Sequence, residues 1–510
     1  MAAKFFLAAM LLVPAVFQDA RRFNEAVGLF QKMSASKDPF DRARAASELG
    51  NHTFEKVDRT CWQLLSGHLH KELDRENKGR NEEEVSGDVL DACVLALRKI
   101  THKEVIDEMT RFAKAPIETP RYRAYLVLGL SVHGALKDLA ELADDKAPHV
   151  SIAAVDALTE RADKSSLALF LKVIKDDKWH WTAKLAAFRG IDRVGDKEIV
   201  DTLIEGLGAV KSSEGRLKDE YVKILKKLVE VDLVSDNPDV WKAAWLAKRD
   251  GKALGKHATV VEEPTTFFGL QTKSTRILFV IDRTGSMVAP IQVSPSVPRK
   301  KDSPSVPAKE SLQETAARGE AEKLKKKYDE RQVKTRMDRL KKEFVNTIWD
   351  LDEKVWFGVV WYAYQAELWK DHPLPATWVN KLEIIRETDK LQPLGGTNIW
   401  DGLEMAYKMM DRKGNYAMLL SGADTFYLMT DGTHNVGKFL NPTARRPEDR
   451  CDIPAFLSEL RKVNKLRKVV IHTICLGSET PPKEPDMLAD PKLMQKIAEE
   501  TGGEFVHIKG

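Results

Sequence analysis

The chain has 510 residues, 43% of them apolar, which is too long for one ordinary core, so two or three globular domains are expected. Lysine plus arginine total 81 against 77 for aspartate plus glutamate, which excludes a nucleic-acid protein built on a global basic field and leaves local patches open. Four cysteines in a chain of this size do not make a disulfide framework.

Residues 1–20 read as a signal peptide. Lys4 gives a positive start, and Phe5 through Phe17 is an uncharged, mostly apolar run, short of the roughly 20 residues a spanning helix needs. Val13-Pro14-Ala15 has the small-residue character of a cleavage site. The alternative is a buried N-terminal helix. No later stretch approaches membrane-spanning length, so the expectation is an exported protein (periplasmic, cell-envelope or secreted) with no transmembrane span after cleavage.

From 21 to 250 small and apolar residues recur at helical spacing. Examples are Ala45-Ala46-Ser47-Glu48-Leu49-Gly50, Tyr125-Leu126-Val127-Leu128-Gly129-Leu130 and Ala153-Ala154-Val155-Asp156-Ala157-Leu158. Aligning Leu126, Ala154 and Ala187 gives steps of 28 and 33 residues, each long enough for a pair of helices. Alanine on one face lets helices approach closely, leucine fills the space between pairs, and stacked pairs bury one continuous core. The stretch resembles HEAT-type repeats, which implies an all-α helical-repeat domain (an α-solenoid) serving as a scaffold. A plain helical bundle is the alternative. Trp179 and Trp181 are expected in the core, and His68 and His70, with no third ligand nearby, read as surface residues.

Residues 251–275 read as a linker. From Arg276 the chain alternates apolar strands with amphipathic helices, the pattern of an α/β fold with a mostly parallel central sheet flanked by helices. Strands are expected at Arg276–Ile281, Val355–Tyr362, Thr425–Met429, Val469–Ile474 and Glu504–Ile508, and helices at Lys334–Trp349, Ile399–Met410, Pro454–Arg467 and Pro491–Thr501. Cys475 reads as a buried thiol, while pairing of Cys61 with Cys93 or of Cys451 with Cys475 stays open.

Three short segments carry chemistry. Asp282-Arg283-Thr284-Gly285-Ser286 follows the first strand, Gly395-Gly396-Thr397-Asn398 precedes a helix, and Thr430-Asp431-Gly432 ends the Thr425 strand. Ligand sites in such sheets lie outside the carboxyl ends of strands, where Asp282 and Asp431 fall. Asp282, Thr284, Ser286, Thr397 and Asp431 offer two carboxylates and three hydroxyls, hard oxygen donors that suit Mg2+, or Mn2+ or Ca2+, rather than zinc or copper. Each segment alone reads equally as a cap or a turn; all three in order read as a metal site.

These segments resemble the metal-site segments of the von Willebrand factor type A (VWA) family, whose signature opens Asp-x-Ser-x-Ser. The resemblance covers about residues 275–510 and implies a Rossmann-like VWA domain over 276–510 with a metal-ion-dependent adhesion site. It implies that Ser286, Thr284 and Thr397 offer hydroxyls to the ion and that Asp282 and Asp431 hold it directly or through water. Thr284 stands where the family usually has serine; the hydroxyl is kept. A second departure is length, with 113 residues between Thr284 and Thr397, much of it an insertion at about 289–334.

Pro290–Pro307 reads as a flexible loop rich in Pro, Ser and Val. Beyond it the chain to Lys342 is helix-forming and crowded with cations, among them Lys323, Lys327, Arg331, Arg336, Arg339 and Lys341. A solvated helical arm is one reading, and contact with an anionic envelope surface is the other. Near the site, Asp401 reads as a supporting acid or a solvated first-turn acid, His434 as an exposed loop histidine or a ligand contact, and Trp400 as core or as a rim of the site.

Catalytic residues are not expected. The chain has no His-Glu-x-x-His, Gly-x-Ser-x-Gly or phosphate-loop motif. The expectation is a non-enzymatic, adhesion-type protein whose bound cation coordinates a carboxylate from a protein partner. A metal-dependent envelope hydrolase and a structural protein with a stabilising metal are the alternatives.

Overall fold

A computed structural model describes residues 21–508, apart from 53–56, 78–86, 212–213, 232, 234, 252–264, 292–310, 412–421, 442, 445, 447–448, 466 and 478–490. The expected signal peptide at 1–20, most of the Pro/Ser-rich loop and half of the expected linker lie outside the described residues. The chain forms two compact units, 1–197 and 198–510.

The first unit is helical throughout its described residues. Its helices are α1 (21–33), α2 (Pro39–Asn51), α3 (Asp58–Asn77), α4 (Gly87–Leu97), α5 (Lys103–Lys114), α6 (Pro120–Gly129), α7 (Leu136–Ala143), α8 (Pro148–Arg161), α9 (Leu167–Lys175) and α10 (Trp181–Val194). Several begin by one local rule: proline fills the first turn, and Asp38 or Thr119 caps the exposed N–H groups. Helices α2, α4, α6, α8 and α10 stack one on the next, while α5, α7 and α9 each pair with the helix that follows. Small residues set the spacing. A Cβ on Gly50 would fall 2.5 Å from that of Ala96, and one on Gly129 would fall 2.9 Å from that of Leu97. Ala153, Ala154, Ala157, Ala183, Ala186 and Ala187 are all fully buried. Trp179 and Trp181 are buried too. His68 is not the surface residue expected: it is buried against Phe30, and His70 stacks on Tyr122 at 3.6 Å. All four cysteines are free and buried, so neither candidate pair is bridged.

The second unit starts well before residue 250. Helices α11 (Val200–Ala209), α12 (Gly215–Val229) and α13 (Pro238–Arg249) belong to it. Asp219 of α12 accepts from the Lys273 N–H at 3.2 Å, and the Lys273 ammonium reaches Asp236 at 3.1 Å. Part of the expected linker is a hairpin, β1 (Thr265–Phe267) with β2 (Leu270–Thr272). Phe267 is fully buried, its ring 5.4 Å from Phe279 and 5.7 Å from Tyr427. Gly195 caps α10 with a left-handed φ of +65°, but glycine and polar breaks of this kind also separate helices within the first unit, so nothing local marks where one core ends and the next begins.

The sheet is mostly parallel, as its apolar runs imply. Strands β3 (Arg276–Asp282), β4 (Trp356–Tyr362), β7 (Thr425–Thr430), β8 (Val470–Leu476) and β9 (Phe505–Ile508) run parallel in the order β4-β3-β7-β8-β9. Two short antiparallel strands, β5 (Ala366–Leu368) and β6 (Leu374–Pro375), edge β4 and went unanticipated. Ile277, Phe279 and Ile281 face one core with α15 (Arg336–Asp350) and α16 (Trp378–Lys390), whereas Leu278 and Val280 face another with α17 (Ile399–Asp411), α18 (Ile453–Asn464) and α19 (Pro491–Thr501). Because β4 and β7 lie on opposite sides of β3, the chain reverses its direction of progress there, the switch point beside which sheets of this kind place ligands.

The basic stretch is not a free arm. Helix α14 (Leu312–Glu330) buries Ala317, Ala321 and Tyr328 and packs on α16. Its Glu314 accepts from the Trp378 N–H at the start of α16, and Lys327 and Tyr328 both reach Asp389. Arg331 pairs with Asp338 and Arg339 with Glu343, while the Lys341 ammonium donates to the Asp389 and Leu391 carbonyls. These cations are engaged within the fold, whereas Lys323, Lys326 and Lys334 of the same stretch are exposed.

Candidate metal centre

The five predicted donors converge at the carboxyl ends of β3 and β7. Asp282 is the last residue of β3, fully buried. Its Oδ1 accepts from the Thr284 N–H at 2.7 Å, an Asx turn that swings Thr284 and Ser286 back over the strand end. Asp431 follows β7 directly and is also fully buried. The Ser286 hydroxyl donates to Asp431 Oδ1 at 2.7 Å, and that of Thr284 to the same oxygen at 3.3 Å. The two hydroxyl oxygens are 2.9 Å apart. Thr284 in place of serine therefore keeps its hydroxyl in the cluster.

Thr397 is delivered by a loop laced to both neighbours. Gly285 N–H donates to Gly395 O at 2.9 Å, Leu394 N–H to Arg283 O at 2.7 Å, and Thr397 N–H to Asn435 Oδ1 at 2.7 Å. Gly395 takes a left-handed φ of +47°, which glycine alone adopts at no cost. A Cβ placed on Gly432 would lie 3.0 Å from Thr397 Oγ1 and 3.4 Å from Ser286 Oγ, so these hydroxyls border one space.

Burial, and then the charge of Asp431, raise the Asp282 carboxyl well above the usual carboxylate range. Burial also raises Asp431, opposed by the guanidinium of Arg336 and by its hydroxyl donors. Two buried carboxyl groups clustered with three hydroxyls form a donor set that a hard divalent cation satisfies and neutralises. Among the described residues no three His, Cys, Asp or Glu side chains converge, so the donor chemistry is carboxylate plus hydroxyl.

No family model matches the chain. Over 109 residues, 21% of the chain, it is 27% identical to inter-alpha-trypsin inhibitor heavy chain 4 of Mus musculus, and it spans only 12% of that relative's length. In backbone it is similar to a von Willebrand factor type A protein from Catenulispora acidiphila, at 17% identity, TM-score 0.26, over 47% of this chain and 40% of that one. It is likewise similar to BatB from Bacteroides thetaiotaomicron, at 11% identity, TM-score 0.26, over 46% of this chain and 90% of that one. At such values the similarities say nothing of what this chain binds. The α/β unit has a mostly parallel, Rossmann-like sheet, with the donor cluster at the carboxyl ends of β3 and β7.

Other expected residues fall outside the donor set. His434 is buried, not exposed; its Nδ1 accepts from the Ile399 N–H at 3.2 Å, which leaves Nε2 to donate to Lys438 O. Asp401 accepts from the Ala366 N–H at 2.5 Å and steadies the β4–β5 turn. Trp400 packs edge-on against Phe439 and Phe456 in the core. Two contributors had no distinct signal in the sequence. Thr430 donates to Asp282 Oδ2 at 2.6 Å, and Arg336 donates to Asp431 Oδ2 at 3.1 Å. Thr430 stood inside a recognised segment without a role, and Arg336 was one cation in a crowd. Among the described residues no helix is long and apolar enough to cross a membrane.

Proposed function

We propose that residues 276–510 form a VWA domain whose adhesion-type metal site binds a divalent cation, Mg2+ with Mn2+ or Ca2+ as alternatives, and through it an acidic group of a protein partner. Asp282, Thr284, Ser286, Thr397 and Asp431 would hold the ion, which when bound supplies a fixed positive charge and a position open to a ligand oxygen. The observation that carries this reading is the convergence of the Ser286 and Thr284 hydroxyls on Asp431, 145 and 147 residues away, beside buried Asp282. Helical repeats act as the scaffold, and residues 1–20 direct export.

Both ring nitrogens of His434 are committed to backbone groups, so this histidine offers no general base to the alternative reading, a metal-dependent hydrolase. The test is a pull-down from the native envelope with the full chain, in magnesium and in chelator, beside Asp282→Ala. Capture that needs the ion and is lost in a folded Asp282→Ala chain supports the proposal. Undiminished capture in chelator refutes it, and substrate turnover abolished by Asp431→Ala would install the hydrolase instead. A mature protein that retains Met1 would refute export by cleavage.

A further inference from the structure

Arg336 opens α15, where the chain emerges from the insertion, and its side chain is only 6% exposed. One nitrogen, Nη1, donates to Asp431 Oδ2 at 3.1 Å and to the Asp431 main-chain oxygen at 3.0 Å. The seat is built. Thr335 and Asp338 form a capping box on α15, and the Arg336 N–H donates to Ala289 O at 3.0 Å. Gly477, just past β8, holds φ +115°, and a Cβ there would fall 2.5 Å from Arg336 Nη2. Asp431 is thus divided: Oδ1 takes the Ser286 and Thr284 hydroxyls, and Oδ2 takes the guanidinium.

We propose that Arg336 is a built-in counter-ion that loosens the site's hold on its cation and leaves the loaded site one positive charge in excess, to be met by one monoanionic ligand group. This rests on the divalent-cation reading above. A guanidinium cannot shed its proton to make room for an ion. With both carboxyls deprotonated, as holding a cation requires, the described side chains bonded into the cluster are two carboxylates and one guanidinium, a net single negative charge that a divalent ion turns into one positive charge. Without Arg336 the loaded site would be neutral, and an incoming carboxylate would carry an unmatched charge into a buried setting. Arg336 acts through Asp431, so it is a positioning and charge-setting residue.

The experiment titrates Mn2+ into the full chain, read by electron paramagnetic resonance, and then acetate into the Mn2+-loaded chain, read by water-proton relaxation. Arg336→Gln should bind Mn2+ about tenfold more tightly than wild type and take acetate at least about fivefold more weakly. Arg336→Lys, which keeps the charge and loses the planar fork, should stay close to wild type in both. A structural prop alone predicts the reverse, with Arg336→Gln weakening Mn2+ binding and Arg336→Lys following it, and that result overturns the proposal. Acetate should also displace water from the loaded wild-type chain where neutral acetamide does not; equal responses overturn the proposal without any variant. A wild-type chain that takes up no Mn2+ overturns the metal-centre reading as well, whereas uptake by wild type with no tightening in Arg336→Gln overturns this inference alone.

Discussion

The Thr430 hydroxyl donates to Asp282 Oδ2 at 2.6 Å, so the last residue of β7 holds the last residue of β3 across 148 positions of chain. Both residues are fully buried, and Gly432 N–H reaches back to the same hydroxyl at 3.2 Å. One side chain therefore sets the carboxylate and the turn that follows it.

Thr430→Val keeps the shape and removes that donor. A buried carboxylate oxygen loses its bond, at a cost of about 1–3 kcal/mol. The expected outcome is a lower urea midpoint together with weaker Mn2+ uptake. Unchanged stability with unchanged uptake would show that Thr430 supports neither.

Gly432→Ala separates the site from the fold. No left-handed φ is required there, and the added methyl meets Thr397 Oγ1 at 3.0 Å and Ser286 Oγ at 3.4 Å. Cation uptake should weaken at least about tenfold, while unfolding shifts by less than about 1 kcal/mol. Full uptake in a folded Gly432→Ala chain would mean that the ion does not sit among these hydroxyls.

Tyr364 is 56% exposed, and its ring lies over Gly395 and Gly396 beside Thr397. An aromatic so placed adds apolar contact around a charged anchor. Tyr364→Ala should weaken partner capture by about 1–2 kcal/mol and leave Mn2+ uptake as in wild type, in parallel pull-down and resonance titrations.

His472 gives the fold a pH dependence away from the site. It is 7% exposed on β8, stacks on Tyr427 at 5.2 Å and accepts from the Glu504 N–H through Nδ1 at 3.2 Å. Burial, with the Arg216 charge, lowers it to about 4. The unfolded chain takes up the proton near pH 6.5 and the folded chain only near 4, so this contribution is complete above 6.5 and drains away as pH falls through that window. The loss reaches about 3 kcal/mol. Urea denaturation at pH 7.5 and 4.5 checks it: His472→Gln should lose less stability than wild type between the two, and equal losses would refute the assignment.

Much of the α/β fold was legible in the sequence. Strands expected at Arg276–Ile281 and Thr425–Met429 end one residue later, and the helix expected at Pro491–Thr501 has those bounds. Helix α16 and strands β5 and β6 were not anticipated. Thr377 caps α16 locally by accepting from the Asn380 N–H, but its seating comes from elsewhere: Glu314 of α14 takes the Trp378 N–H, and Lys381 donates to the Trp349 and Leu351 carbonyls. Strand β6 has two residues and β5 three, too few to show alternation.

The sequence by itself determined the parallel sheet, the small-residue helix stacking and the hard-oxygen donors, because apolar period, helix spacing and ligand chemistry are written within a few adjacent residues. Tertiary structure alone decided that the helices from α11 onward join the second unit, that Lys327, Arg331, Arg339 and Lys341 of the basic stretch engage groups of the fold, and that Arg336 and Thr430 flank the carboxylates. Arg336 meets Asp431 over 95 residues, and Thr430 meets Asp282 over 148. Such contacts depend on which buried charge lacks a counterpart once the strands have assembled, and no local pattern carries that information.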